Sequence, residues 1–304
     1  MRQWFHFPKD NTDRAVRRWL RTTLSETGAS WSMEERECAA LADRLMAGLD
    51  DRHRATLEAV DRRYDEGELD RLGGWLDRVV SGEPVQHVVG WTEFRGLRLA
   101  CNASALIPRP ETEEVVTWFL EGVDRMMDFR RRKGPVKVVD FGTGSGCIAL
   151  AIKAARPHWE VWGLDVSDSA LALARANGAA LGLEVNWVQG DLLSGAVGDL
   201  PQSVDGLVSN PPYIPLKERA DMDAHVRDKE PALALFVPDA DPLCFYRALA
   251  VQAERLLQEG GCLLAECHFQ FTRQVADCWQ LEAAETEVLS DLQGAERAVR
   301  QIRH

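Results

Sequence analysis

Apolar residues over the first 80 positions recur at helical spacing. Val16, Trp19, Leu20 and Leu24 mark one helical face, and Leu41, Leu45, Met46 and Leu49 mark a second, each with the rhythm of an amphipathic helix. Ser32 and Glu35 have the spacing of a capping box that opens the second helix. Leu57, Val60 and Tyr64 predict a third, and Leu69, Leu72, Leu76, Val79 and Val80 a fourth. A small helical domain over residues 1–81 follows, either a packing cap or a docking surface for a large substrate. From Gly82 the pattern changes. Val85 to Ile107 lacks a helical period and carries Gly96 at a turn position, so residues 82–107 read as a β-hairpin linker. Pro108-Arg-Pro-Glu-Thr-Glu113 breaks the chain and starts a helix with acids in its first turn, where the helix dipole favours them. Arg130-Arg-Arg-Lys133 closes that helix as a solvated, positive last turn.

Beyond Gly134, short apolar runs alternate with helical patterns. Strands are predicted at Val136 to Phe141, Val161 to Val166, Val185 to Gln189, Val204 to Ser209 and Cys262 to Cys267. The helices between them are Cys147 to Ala155, Ser169 to Leu181 and Leu243 to Leu257, and two late strands lie near Glu285 to Leu289 and Arg297 to Ile302. Such alternation predicts an α/β domain over residues 108–304 whose parallel sheet is covered on both faces.

Composition narrows the classes. With 304 residues and 45% hydrophobic positions, a large α/β domain and a smaller partner both have enough core. The net charge of -12, from 48 acids against 36 bases, gives no help to the phosphate attraction behind non-specific nucleic-acid binding. Seven cysteines contain no C-x-x-C pair and are odd in number, the pattern of reduced thiols rather than a disulfide frame or zinc site. Met1 to Lys9 lacks the apolar run of a signal peptide, and no stretch of about 18 apolar residues occurs, so a cytoplasmic protein with no membrane association and no bound metal is expected.

The candidate chemistry lies at three consecutive strand ends. Asp140-Phe-Gly-Thr-Gly-Ser-Gly146 follows the first strand, with Gly142, Thr143, Gly144, Ser145 and Gly146 forming a turn over which a ligand can approach the backbone. A nucleotide-binding or purely structural turn would look similar on its own. Asp165 ends the next strand, where a carboxylate can accept both hydroxyls of a ribose or cap the following helix. Asp191 ends the third, placed to accept from an adenine amino group, with Leu192 available to pack on the ring. The glycines lack the G-x-G-x-x-G spacing of pyrophosphate binding, so a sulfonium nucleoside fits better than a dinucleotide. The fourth strand ends in Asn210-Pro-Pro-Tyr213. Pro211 and Pro212 stiffen it by restricting the residue before each. The Asn210 side chain and the Pro211 carbonyl offer two acceptors to a planar NH2 group, and the Tyr213 ring offers a face for its plane.

This tetrapeptide resembles the signature of amino-methylating enzymes that act on adenine, guanine or glutamine amides. Further segments narrow the choice: Glu83-Pro-Val-Gln86, Phe94-Arg-Gly96, Leu106-Ile-Pro-Arg-Pro-Glu-Thr-Glu113, Val226-Arg-Asp-Lys-Glu-Pro231, and Asp291-Leu-Gln-Gly294 with Arg297. Together they resemble the release-factor glutamine methyltransferases, the PrmC/HemK family, over roughly residues 80 to 300. His87, the loop Phe236 to Pro242, and the residues after Glu266 in Glu266-Cys-His-Phe-Gln270 depart from the family pattern. The resemblance implies a Rossmann-like class I methyltransferase sheet that takes S-adenosylmethionine and releases S-adenosylhomocysteine. Asp140, Gly142 to Gly146, Asp165, Asp191, Leu192 and Asn210 would hold the cofactor, and Asn210, Pro211, Pro212 and Tyr213 the acceptor glutamine of class I peptide-chain release factors. A monomer that does not contact nucleic acid directly is expected. The rival readings are a nucleic-acid amino-methyltransferase, which needs a basic groove, and a catalytically silent binding module.

Overall fold

The computed structural model of the chain describes residues 8, 10–27, 35–49, 62–127 and 134–303. The chain divides into two compact units, Met1–Trp91 with Ala224–Lys229, and Thr92–Asp223 with Glu230–His304.

The first unit contains α1 (Asp13–Thr27), α2 (Glu35–Leu49), α3 (Glu66–Val80) and the short α4 (Val85–Val89). The apolar stripes predicted from the sequence are the ones that meet: Val16, Leu20, Leu24, Leu45, Met46, Leu72 and Leu76 form one buried cluster, which Val88, not expected there, joins. Ser32 and the proposed cap, Leu57, Val60 and the basic run 130–133 lie outside the described residues. Tyr64 is not helical. It stands next to an isolated antiparallel bridge between Thr12 and Arg63, with its hydroxyl donating to Asp13 (2.9 Å). Asp65 then caps α3 in a reciprocal box with Glu68. The predicted hairpin linker also starts later than expected. Pro84 precedes α4 and Gly90, at φ +84°, ends it. Val85, Val88 and Val89 lie at i, i+3 and i+4, one face of a single helical turn, which is too short to register as a period.

The second unit opens within the hairpin β1 (Trp91–Phe94, Trp91 counting with the first unit) and β2 (Leu97–Ala100), turned at Arg95 and Gly96, both left-handed. There follow α5 (Pro110–Met127), β3 (Lys137–Phe141), α6 (Cys147–Ala155), β4 (Glu160–Asp165), α7 (Asp168–Leu181), β5 (Asn186–Gln189) and β6 (Val204–Ser209). A short strand β7 (Ile214–Pro215), a 3-10 turn at Leu216–Asp221, α8 (Ala224–Arg227, which belongs to the first unit), α9 (Ala232–Leu235) and β8 (Phe236–Val237) come next. The chain ends with α10 (Cys244–Leu256), β9 (Leu257–Glu266), α11 (Thr272–Cys278), β10 (Ala284–Ser290) and β11 (Glu296–Arg303). The sequence pattern missed β7, β8, α8, α9 and α11, all of seven residues or fewer, too short for a period to register.

Seven strands form one sheet in the order β10-β11-β9-β6-β3-β4-β5. It is mixed rather than wholly parallel, because β11 runs antiparallel to both β9 and β10. The cause is local. A tight turn at Asp291–Gly294 joins β10 to β11, with Asp291 accepting from the backbone of Gln293 and Ala295, and strands joined by so short a loop must be antiparallel. Successive residues of the central strands face opposite layers. Val138 joins Phe119 of α5 and Ile148 of α6 in one cluster, while Val139 joins Leu249 of α10 and Val275 of α11 in the other. All seven cysteines are free thiols, and among the described residues no helix is long and apolar enough to cross a membrane.

Gly206, in the middle of β6, lies directly under α5. A Cβ there would sit 2.4 Å from Phe119 Cζ and 3.1 Å from Val123 Cγ2, and both side chains are buried. Gly206→Ala should therefore overpack the layer and destabilise the fold by roughly 1–3 kcal/mol. A lowered urea midpoint checks this; an unchanged one would mean the layer relaxes freely.

Candidate active site

Parallel pairing brings three of the predicted strand ends level. In register, Phe141 of β3 faces Leu164 of β4 on one side and Ser209 of β6 on the other. The turn after β3, Asp165 at the end of β4 and Asn210 after β6 therefore emerge side by side at the carboxyl edge, where open α/β sheets bind ligands.

The turn is pinned by its own backbone. The N–H groups of Gly142 and Thr143 donate to the Leu164 carbonyl (2.8 and 2.9 Å), and that of Gly144 donates to Asp165 Oδ2 (2.8 Å). Asp165 Oδ1 accepts from the Ser167 backbone (2.9 Å). Each carboxylate oxygen keeps a second lone-pair position, so the side chain can still receive hydroxyls. Burial raises the Asp165 pKa against these hydrogen bonds. Two glycines matter here, Gly142 for its conformation and Gly146 for both conformation and space. Gly142 has φ +70° and a Cβ there would meet no protein atom within 4 Å, while Gly146, at φ +82°, heads α6 with no room for a Cβ, 2.8 Å from Trp187. Asp140 lies beneath the turn, fully buried. Its Oδ2 accepts from the Thr143 hydroxyl (2.6 Å) and the Ala149 N–H (3.2 Å), while Oδ1 has no partner among the described residues. Burial pushes this carboxyl up to about 7.

These features enclose a cavity of about 350 Å³, within the ordinary range for small-molecule sites. Of the residues singled out in the sequence, Gly142, Thr143, Gly144, Ser145, Asp165, Asp191, Leu192, Asn210, Pro211 and Pro212 line it. Asp140, Gly146 and Tyr213 do not. Asp140 and Gly146 shape the turn from below, and Tyr213 donates its hydroxyl to Glu266 Oε1 (3.2 Å) and meets His268 edge-on. Asp191 Oδ1 accepts from the Leu193 backbone (2.9 Å), and Leu192 is shared between the cavity and the core. The acceptor tetrapeptide is held at both ends. Ser209 donates to the Phe141 carbonyl (2.7 Å) before it, and β7 pairs with β8 after it.

The cavity also takes residues that the sequence reading left without a role. Arg109 lines it and is paired with buried Glu230, whose other oxygen accepts from the Ile107 backbone (2.9 Å). Thr112 lines it from the first turn of α5, accepting from Asn210 Nδ2 (3.0 Å) and donating to Glu266 Oε2 (2.7 Å). The block Arg109 to Glu113 was visible as a motif, but the side-chain partners of Arg109 and Thr112 lie 98 to 154 residues away. Cys147 also lines the cavity, and burial pushes its thiol up to about 12, so it offers no thiolate nucleophile near neutrality.

The seven-strand order with its reversed β11 is that of class I methyltransferases. The hMettl16 catalytic domain in complex with MAT2A 3'UTR hairpin 1 has a TM-score of 0.51 at 14% identity, covering 79% of this chain and 81% of that one. At that identity the likeness speaks for the fold alone. The family model of the methyltransferase small domain matches residues 126–227. Closer in sequence is the release factor glutamine methyltransferase of Deinococcus radiodurans, 41% identical over 225 residues, or 74% of this chain and 76% of that protein. The enzyme of the same name from Flavobacterium psychrophilum is 35% identical over 241 residues, 79% of this chain and 82% of that one. That of Bacillus subtilis (strain 168) is 32% identical over 289 residues, 94% of this chain and 96% of its own length. With such identity sustained over most of both sequences, the chain belongs to the release factor glutamine methyltransferase family.

Proposed function

We propose that this protein transfers a methyl group from S-adenosylmethionine to the side-chain amide nitrogen, N5, of the glutamine in the Gly-Gly-Gln loop of class I peptide-chain release factors. The observation that carries the reading is that one cavity is lined by both the glycine turn with Asp165 and the Asn210-Pro-Pro segment. The residues present suit the cofactor. Space opens over Gly142 where a side chain would otherwise stand, Asp165 keeps acceptor capacity for ribose hydroxyls, and Leu192 supplies an apolar wall. S-adenosylmethionine supplies an activated methyl on a sulfonium. Residues 1–81 are assigned the docking of the release-factor body, and the enzyme acts as a monomer.

An amide nitrogen is a weak nucleophile because its lone pair is delocalised into the carbonyl. The chain's contribution is alignment and desolvation. Asn210 and the Pro211 carbonyl accept the two hydrogens of the NH2 group, aim its nitrogen into the cavity and favour the positive charge that develops there. The rigid Pro-Pro segment keeps those acceptors from relaxing away. Transfer of labelled methyl to purified release factor, and its absence from a release factor whose loop glutamine is replaced by alanine, tests the assignment directly.

Two substitutions separate the halves of the site. Asp165→Ala should weaken cofactor binding by roughly 1.5–3 kcal/mol for each charge-assisted hydrogen bond lost; unchanged affinity by calorimetry would remove Asp165 from the cofactor site. Asn210→Ala should weaken cofactor binding only modestly while methyl transfer falls on the order of a hundredfold or more. Near-normal turnover at saturating cofactor would show that the amide is aligned by other groups.

A further inference from the structure

Two buried polar side chains behind the acceptor segment have no part in the mechanism just described. Thr112 and Glu266 are each 2% exposed. Asn210 Nδ2 donates to Thr112 Oγ1 (3.0 Å), the Thr112 hydroxyl donates to Glu266 Oε2 (2.7 Å), and the Tyr213 hydroxyl donates to Glu266 Oε1 (3.2 Å). We propose that Thr112 and Glu266 are positioning residues that select the orientation of the Asn210 amide, turning its oxygen rather than its NH2 toward the acceptor. The inference rests on the reading of Asn210 as the group that receives the acceptor nitrogen.

The number of available protons decides the orientation. An asparagine amide has two orientations of almost equal shape, related by a half-turn that exchanges oxygen and nitrogen. Only one presents an acceptor to an incoming NH2 group; the other sets donor against donor. A carboxylate accepts and cannot donate, so the single Thr112 proton is committed to Glu266. The Thr112 oxygen then has only lone pairs for Asn210, and the amide must offer it Nδ2. Oδ1 is left as the atom that Asn210 presents elsewhere. Burial raises the Glu266 carboxyl above its usual range, an effect that the Thr112 and Tyr213 hydroxyls and then Arg297 reduce. With a hydroxyl proton already on each oxygen, the ionised form needs no proton of its own. A buried network of this kind specifies one arrangement because every alternative strands a polar group.

The test compares full-length variants by turnover at saturating substrates, by KM for release factor and by cofactor affinity. Thr112→Val keeps the shape and removes the hydroxyl. It should lower kcat on the order of tenfold to a hundredfold, with KM and cofactor affinity little changed, and Thr112→Ser should restore most of the loss. Normal kcat in Thr112→Val beside an inactive Asn210→Ala overturns the positioning role and leaves the Asn210 reading intact. An active Asn210→Ala overturns that reading and this inference together. Equal losses in Thr112→Val and Thr112→Ser would assign the effect to packing and defeat the proposal. If removing the hydroxyl prevents folding, Glu266→Gln and Glu266→Leu provide the second comparison. Glutamine can still accept from Thr112 and should retain most of the turnover that leucine loses, whereas equal turnover in the two overturns the inference.

Discussion

The parallel register of β3 with β4 and β6 is the constraint on which the site depends. Phe141 is level with both Leu164 and Ser209, so the residues that leave the three strands begin from one line. A slip of one residue in either pair would displace a strand end by about 3.3 Å and turn its side chains to the other face. Burial of both faces prevents that slip, since Val138 and Val139 are each fully buried in different layers. The apolar core thus sets the spacing of polar groups that contribute nothing to it. Further ties follow from the same alignment, including the Leu164 carbonyl that receives two N–H groups of the glycine turn.

Three buried carboxylates then hold the loops at this edge. Asp140 takes the turn hydroxyl and the α6 backbone, Glu230 takes Arg109 and the Ile107 backbone, and Glu266 takes Thr112 and Tyr213. Removing a carboxylate from water is costly, and the cost is offset only where donors replace the lost hydration. Glu230 and Glu266 have a donor on each oxygen. Asp140 has both of its described donors on one oxygen, and burial pushes its carboxyl up to about 7. In return, each carboxylate fastens a segment that has no regular ladder to satisfy its backbone. The loops that carry the chemistry are in this way stiffened from behind.

Much of this was legible in the amino-acid sequence, for reasons that differ between elements. The long helices and central strands were determined by period: Val204 to Ser209 and Cys147 to Ala155 coincide with β6 and α6 to the residue. The glycine turn and the Asn-Pro-Pro-Tyr unit were legible through backbone rules, since only certain residues allow a left-handed turn or a stiff strand exit, and Asp165 and Asp191 through their places at strand ends. The sequence motifs also carried the family, through segments spread from Glu83 to Arg297. What tertiary structure alone decided is the place of β11 between β9 and β10, the helical turn at Val85–Val89, and the partners of the site residues. Tyr213 stands behind the cavity instead of lining it, and Thr112 meets Asn210 and Glu266 across 98 and 154 residues of chain. The physical reason is range. Periodicity and turn chemistry act between neighbours in the chain, whereas a hydrogen bond between distant side chains exists only after the sheet has brought their backbones together, and it leaves no spacing in the sequence from which to read it.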